Sequence, residues 1–237
     1  MRLLVNSENE PVIQGTDSWH IAKKNRFSSS KISKLITDNT KKSKDAAYNY
    51  VISKAYGTFL ETPIITPQSF GMRRGTLLES EARLEFLHQY NIVSDNCTIS
   101  QIDEDFNVGK CYLDDECEFH LISPDGWNEK QNFGTEFKVA ETIDKYARFC
   151  RNVIDNETFK AFDTTYYWQV MDALMCSGAD YWWFCYYLPE MQRGYDVRAI
   201  KILPNKEDFA ILRSSINSAM EIYKESYLYE LNKQPKQ

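Results

Sequence analysis

Apolar positions recur at helical spacing over much of the first third of this 237-residue chain and at strand spacing through its middle. Ile32, Leu35 and Ile36 follow the serine run Ser28 to Ser30, which predicts a serine-capped helix start. Ala46, Tyr50, Val51 and Ala55 continue the pattern and predict a helix over 41–59, and the two prolines of ETPIITPQSFG predict a loop. Over 72–90 the residues Leu77, Leu78, Ala82, Leu84, Phe86 and Leu87 share one broad face, the plainest helical signal in the chain, with Glu79 and Arg83 one turn apart on it. Strand-like runs follow at 91–100, 110–113, 118–122 and 134–139 and predict a meander or bent hairpin. A helical connection passes through Arg148, and 166–176 reads as a further helix. The aromatic run over 181–188 is apolar throughout, as a strand buried on both faces requires. A last strand over 197–203 precedes a long helix to about Leu231. The simplest architecture for this order is α/β, a central mixed β-sheet flanked by helices on both faces.

Composition keeps that picture within one soluble body. A hydrophobic share of 43% with 26% charged residues is that of a globular protein. The length suits a single domain over 1–237, divided into an N-terminal extension (1–18), a helical basic region (19–60), a core (72–203) and a C-terminal helix (204–231). No window is apolar enough for a membrane span, and MRLLVNSENE lacks the basic and apolar regions of a signal peptide, so the expected location is cytoplasmic. Cys97, Cys111, Cys117, Cys150, Cys176 and Cys185 form no CxxC pair and are expected to be reduced thiols, mostly buried. His20, His88 and His120 have no mutual metal-ligand spacing and are expected to be structural or surface residues.

The net charge of −6 argues against a protein that coats nucleic acid without selectivity. It also hides an asymmetry. Residues 21–60 carry nine Lys/Arg against two Asp/Glu, a net of +7, whereas residues 100–145 carry four against twelve, a net of −8. One stretch is suited to phosphates and the other to divalent cations.

The sharpest chemical feature is SPDGWNEKQNFGTEFKVA. Glu136 and Lys138 stand at i and i+2 of a predicted strand, so their side chains leave the same face, where a hairpin would also deliver Asp125. Two carboxylates and an amine at one point suit phosphodiester hydrolysis. The carboxylates would hold Mg²⁺, and the lysine would orient water or stabilise developing charge. Glu79 would join them if its helix packs on the sheet. A P-D followed eleven residues later by E-x-K also occurs by chance, and a charged i, i+2 pair is often only the wet side of a strand.

Four segments in register decide between these readings: WHIAKKNRFSSSKIS, RRGTLLESEAR, SPDG followed by EFK, and YYWQVMDALMCSGADYWWFCYY. Together they resemble the lambda exonuclease family, also called the YqaJ-like viral recombinases, of the PD-(D/E)xK nuclease superfamily. The resemblance runs from Trp19 to the last helix. It implies a restriction-endonuclease-like core, with Asp125, Glu136, the backbone carbonyl of Phe137 and Glu79 as ligands of Mg²⁺, or of Mn²⁺ in its place, two ions in all. It further implies that Lys138 contacts the attacking water and that Gln169 orients the scissile region. A 5′-phosphate pocket falls on Ser30 and on Lys23, where the family has an arginine. Lysine keeps the charge but loses the bidentate fork, a loss Arg26 would offset. Arg74 is a further DNA-contact candidate. Without the family, Gln169 reads as a surface amide and the serines as ordinary caps.

The activity so implied is Mg²⁺-dependent digestion of linear double-stranded DNA from its ends, 5′ to 3′, in phage-type recombination. A homotrimeric ring and a single-strand annealing partner follow from the family, as does a phage or prophage origin inside a host cell. The alternatives are an endonuclease or single-strand nuclease of the same superfamily, and a DNA-end-binding protein without cleavage.

Overall fold

A computed structural model describes residues 1–38, 40–92 and 105–233 of the chain. Its strands are β1 (Arg2–Leu3), β2 (Phe27–Ser28), β3 (Tyr112–Leu113), β4 (His120–Ile122), β5 (Gly126–Asn128), β6 (Phe133–Val139), β7 (Tyr181–Tyr187) and β8 (Val197–Ile202). Its helices are α1 (Asp17–Lys23), α2 (Lys41–Gly57), α3 (Phe70–Gln89), α4 (Ile143–Asn152), α5 (Asn156–Phe162), α6 (Thr164–Ser177) and α7 (Lys206–Lys233), with a 3-10 helix at Ser29–Leu35. The fold is mixed α/β, and its elements sort into two compact units. The first comprises Met1–Ile65, Lys110–Ser123 and Asn205–Gln237; the second comprises Thr66–Gly109 and Pro124–Pro204.

In the first unit a four-stranded sheet has the order β1-β3-β4-β2. The runs at 110–113 and 118–122 pair as an antiparallel hairpin, Tyr112 opposite Ile122, and β2 joins β4 in parallel. Beneath it, the Asp114 carboxylate accepts from Arg213 at 2.6 Å and lies 3.2 Å from Nδ1 of the fully buried His120. The residues just after α2 meet α7 through the stacked rings of Phe59 and Tyr227 and a 2.7 Å hydroxyl contact between Thr58 and Tyr223.

The serine run does not cap an α-helix. Ser28 makes no side-chain cap bond, and the segment after it is 3-10. On it Ile32 and Leu35, at i and i+3, share a face and are both buried. Helix α2 is capped instead by Thr40, whose hydroxyl accepts from the Ser43 amide.

The second unit holds the sheet β5-β6-β7-β8, mixed because β6 and β7 run parallel while both outer pairs are antiparallel. Strand β5 has no clear period of its own in the sequence, and the turn back into β6 uses Asn132 at φ +53°. As expected of its unbroken apolarity, β7 is buried on both faces. Cys185 and Tyr187 pack with Phe86 of α3, and the Phe86 ring lies 5.5 Å from Trp183. Phe184 and Tyr186 point the other way, to Phe149 of α4 and Phe159 of α5. Helices thus cover both faces of this sheet.

Helix α3 begins two residues before 72 because Ser69 accepts from the Met72 amide at 3.2 Å. Its buried face also differs from the apolar pattern. Leu77 is 78% exposed, while Arg83 takes a buried position beside Ala82, Phe86 and Leu87. Helix α6 runs between an Asp163 cap and Gly178 at φ +68°, and from Tyr167 to Ala173 every side chain is buried. The run at 91–100 lies outside the described residues from 93 onward. No disulfide links the described cysteines, of which Cys111, Cys176 and Cys185 are buried. Among the described residues no helix is long and apolar enough to cross a membrane.

Gly134 on β6 sits against the indole of Trp182, and a Cβ there would overlap the ring. Gly134→Ala is therefore expected to destabilise the fold by about 1–3 kcal/mol, the usual range for overpacking a core. Urea denaturation of the two proteins checks this; an unchanged midpoint would show that Trp182 can give way.

Candidate active site

Strand β6 carries Glu136 and Lys138 on one face, and the Lys138 ammonium donates to Oε1 of Glu136. The register Gly126↔Thr135 makes Asp125 the next position, opposite Glu136. Asp125 turns its Oδ2 onto the backbone of the same strand, accepting from the Phe137 amide at 2.7 Å. The Phe137 ring points away into the core and meets Phe86 edge-on at 5.7 Å. One strand thus offers a carboxylate, an ammonium and an amide within three residues, and its hairpin partner adds the second carboxylate.

Helix α6 closes the group. The Gln169 amide donates to Glu136 Oε1 at 2.6 Å, and both are buried, so Gln169 is no surface amide. Both donors converge on the same oxygen rather than being divided between the two. Tyr166, one turn earlier on α6, lies with its ring 5.5 Å from the Lys138 ammonium. From α3, the half-buried Glu79 pairs with Arg83 at 3.8 Å.

Electrostatics set these groups apart from ordinary surface carboxylates. Glu79 is pushed up to about 8 by burial first and then by the Asp125 charge, against the pull of Arg83. Burial likewise raises Asp125, and burial and Asp125 together raise Glu136. Lys138 behaves oppositely: burial disfavours its charge, but Glu136 and Asp125 outweigh that and hold it above the usual ammonium value. Three carboxylates are thus crowded where their negative charges oppose one another, with one ammonium and one guanidinium as counter-charge. Hard oxygen donors in that crowd form a set that could hold a divalent cation, with the Phe137 carbonyl on the same strand.

The expected phosphate residues are divided between the two units. Lys23, Arg26 and Ser30 belong to the first unit and Arg74 to the second. The Lys23 ammonium lies 4.2 Å from the Trp19 ring centroid, and the Trp19 indole donates to Ser123. Arg26 directs Nε and one terminal nitrogen to the backbone oxygens of Glu118 and Ala22. Ser30 lies 3.3 Å, oxygen to oxygen, from Ser28. Arg74 binds the Ala140 carbonyl and Glu190 at 2.6 Å each, at the rim of a cavity of about 600 Å³.

Two neighbours of the carboxylate group were not singled out from the sequence. Arg83 carried a signal in its spacing from Glu79, but its burial was not foreseeable from a charged residue on an amphipathic helix. Tyr166 carried only its place three residues before Gln169.

The model of the YqaJ-like viral recombinase domain matches residues 18–180 of the chain. Among solved structures, an alkaline exonuclease from Laribacter hongkongensis superposes with a TM-score of 0.71 at 18% identity, covering 92% of this chain and 97% of that one. The same enzyme in complex with dAMP gives 0.70 over the same shares and at the same identity. A phage-related exonuclease from Haemophilus somnus 129PT gives 0.62 at 12% identity, covering 90% and 98%. No curated protein matches the chain.

The raised Glu79 predicts a pH dependence of stability. The folded chain keeps the Glu79 proton up to about pH 8, whereas an ordinary glutamate loses it near 4.5. The folded state therefore binds the extra proton between those values, so the stabilisation is complete below about 4.5 and is lost as pH rises through 8. In EDTA the denaturation midpoint is expected to fall over that window, and Glu79→Gln should flatten the fall. A midpoint of Glu79→Gln that tracks the wild type at every pH would refute the assignment.

Proposed function

The chain belongs to the YqaJ-like viral recombinase domain family, and we propose that it is a divalent-metal-dependent exonuclease that digests linear double-stranded DNA from the 5′ end in phage-type recombination. The observation that carries this reading is the arrangement around β6: Asp125 on the Phe137 amide, and Glu136 held at one oxygen by both Lys138 and Gln169. The nuclease assignment draws on the family, and the fold it shares with exonucleases agrees with it.

In this proposal Asp125, Glu136, Glu79 and the Phe137 carbonyl hold the cation, Mg²⁺ or Mn²⁺, with two ions as the full complement. When bound, the cation supplies Lewis acidity that polarises the phosphate and acidifies water. The remaining work falls to the chain. Lys138 stays protonated, so it can donate to the attacking water and balance charge as it develops on phosphate oxygens. Gln169 fixes the rotamer of Glu136, and Arg83 does the same for Glu79, so that neither carboxylate must reorganise during the reaction. Ser30, Lys23, Arg26 and Arg74 are the proposed DNA contacts, the first two at the terminal phosphate.

The whole of 1–237 is proposed to act as one nuclease domain, assembled as a homotrimer around the duplex and partnered by a single-strand annealing protein, in the cytoplasm of a host cell. A trimer would allow processivity without a basic overall charge, since only its channel need be positive.

Asp125→Ala and Lys138→Ala are each expected to lower digestion of linear duplex by about a hundred- to a thousandfold or more. Gln169→Ala, which only frees Glu136, should cost about tenfold. End-labelled linear duplex and closed circular DNA, with Mg²⁺ or EDTA, are the substrates. Undiminished digestion by either alanine variant would refute the site, cleavage of closed circles would refute the exonuclease reading, and release from the 3′ end would reverse the polarity.

A further inference from the structure

Lys54, near the end of α2, sends its ammonium to the backbone oxygen of Lys23 at 2.8 Å, bringing two lysines together where α1 ends. Lys34 reaches the same place from the 3-10 helix: its ammonium and that of Lys54 lie 5.3 and 5.8 Å from the centroid of the Tyr50 ring. The Tyr50 hydroxyl in turn accepts from the Ser28 amide, and Ser28 touches Ser30. Lys23, Lys54, Lys34, Tyr50 and the serine run are thus linked contact by contact within the first unit.

Two features of this group call for an anion. After burial, the charge that bears most on Lys23 is Lys31, and those on Lys54 are Lys23 and Lys34, so burial and mutual repulsion push both ammoniums down to about 8. Ammoniums gathered in this way without a carboxylate among their leading influences are a costly arrangement in an empty protein and a favourable one around a phosphate. Independently, Ser29 in the middle of the serine run is only 6% exposed, and its hydroxyl has no hydrogen-bond partner among the described residues. A buried orphan hydroxyl marks a place where a polar group is wanted.

We infer that Lys54 is the second cation of the terminal-phosphate pocket, acting with Lys23 and the hydroxyls of the serine run. The inference rests on the end-recognition reading given under Proposed function and adds Lys54 to Ser30 and Lys23 at the terminal phosphate. Two point charges from separate helices would then do what one arginine fork does elsewhere.

The test compares digestion of linear duplexes bearing 5′-phosphate or 5′-hydroxyl ends by the full chain. Wild type is expected to prefer the phosphate. Lys54→Met should cut the preference by about tenfold or more, through KM on the phosphorylated duplex, as loss of one charged hydrogen bond implies. Lys54→Arg should restore it, since the positive charge returns, whereas a pure packing role for the stem would already be met by Met. If wild type shows no preference, the end-recognition reading itself falls. If wild type prefers the phosphate and a folded Lys54→Met keeps the full preference, the assignment of Lys54 falls alone. A measurement needing no variant is titration of inorganic phosphate into wild type with ¹⁵N-labelled lysine side chains. Lys23 and Lys54 should respond together and saturably; a response at Lys23 without one at Lys54 overturns the inference.

Discussion

The hydrogen bond from the Phe137 amide to Asp125 ties the candidate catalytic group to the architecture of the sheet. It fixes the carboxylate that precedes β5 against the strand that carries Glu136 and Lys138, so the hairpin register and the side-chain geometry become one constraint. A slip of one residue in β6 would send Glu136 and Lys138 to the α3 face and bring Phe137 to the polar one. That slip is opposed by Phe133 and Phe137, both packed in the core, and by Gly134, which leaves room for Trp182. The apolar positions of β6 thus hold its polar positions in place.

Charge is distributed to match. In the second unit, three carboxylates share a partly dry environment with Lys138, Arg83 and the neutral Gln169. Their raised proton affinities express how little that environment tolerates negative charge without a cation. In the first unit the balance is inverted, with lysines around Tyr50 and the serine run and proton affinities pushed down. Each group stores an electrostatic imbalance of the sign opposite to what the proposed substrate and metal would bring. The net charge of −6 conceals both.

Much of this was legible in the residues. The period-two placement of Glu136 and Lys138 was sufficient to put them on one face, and the apolarity of 181–188 was sufficient to bury β7. The helical period over 72–90 marked α3, although Leu77 proved exposed and Arg83 buried, because hydropathy alone does not record which polar residue will find a charged partner inside. Ser28 to Ser30 read as a cap, but Ser28 makes no cap bond and the segment is a 3-10 turn, a choice of backbone hydrogen bonding that side-chain period alone does not record. Arg26 carried the charge a phosphate needs, while its bonds to the carbonyls of Glu118 and Ala22 left no trace in the sequence pattern.

By itself the sequence determined the local periods, the two opposite charge blocks and the spacing that delivers Asp125, Glu136 and Lys138 to one hairpin, since these depend only on neighbours along the chain. Tertiary structure decided the contacts between residues far apart in sequence. It placed Gln169 on the same oxygen of Glu136 that Lys138 binds, Arg83 against Glu79, and Lys54 on the carbonyl of Lys23. Burial and partner choice are properties of packing between elements, and no period within one element encodes them.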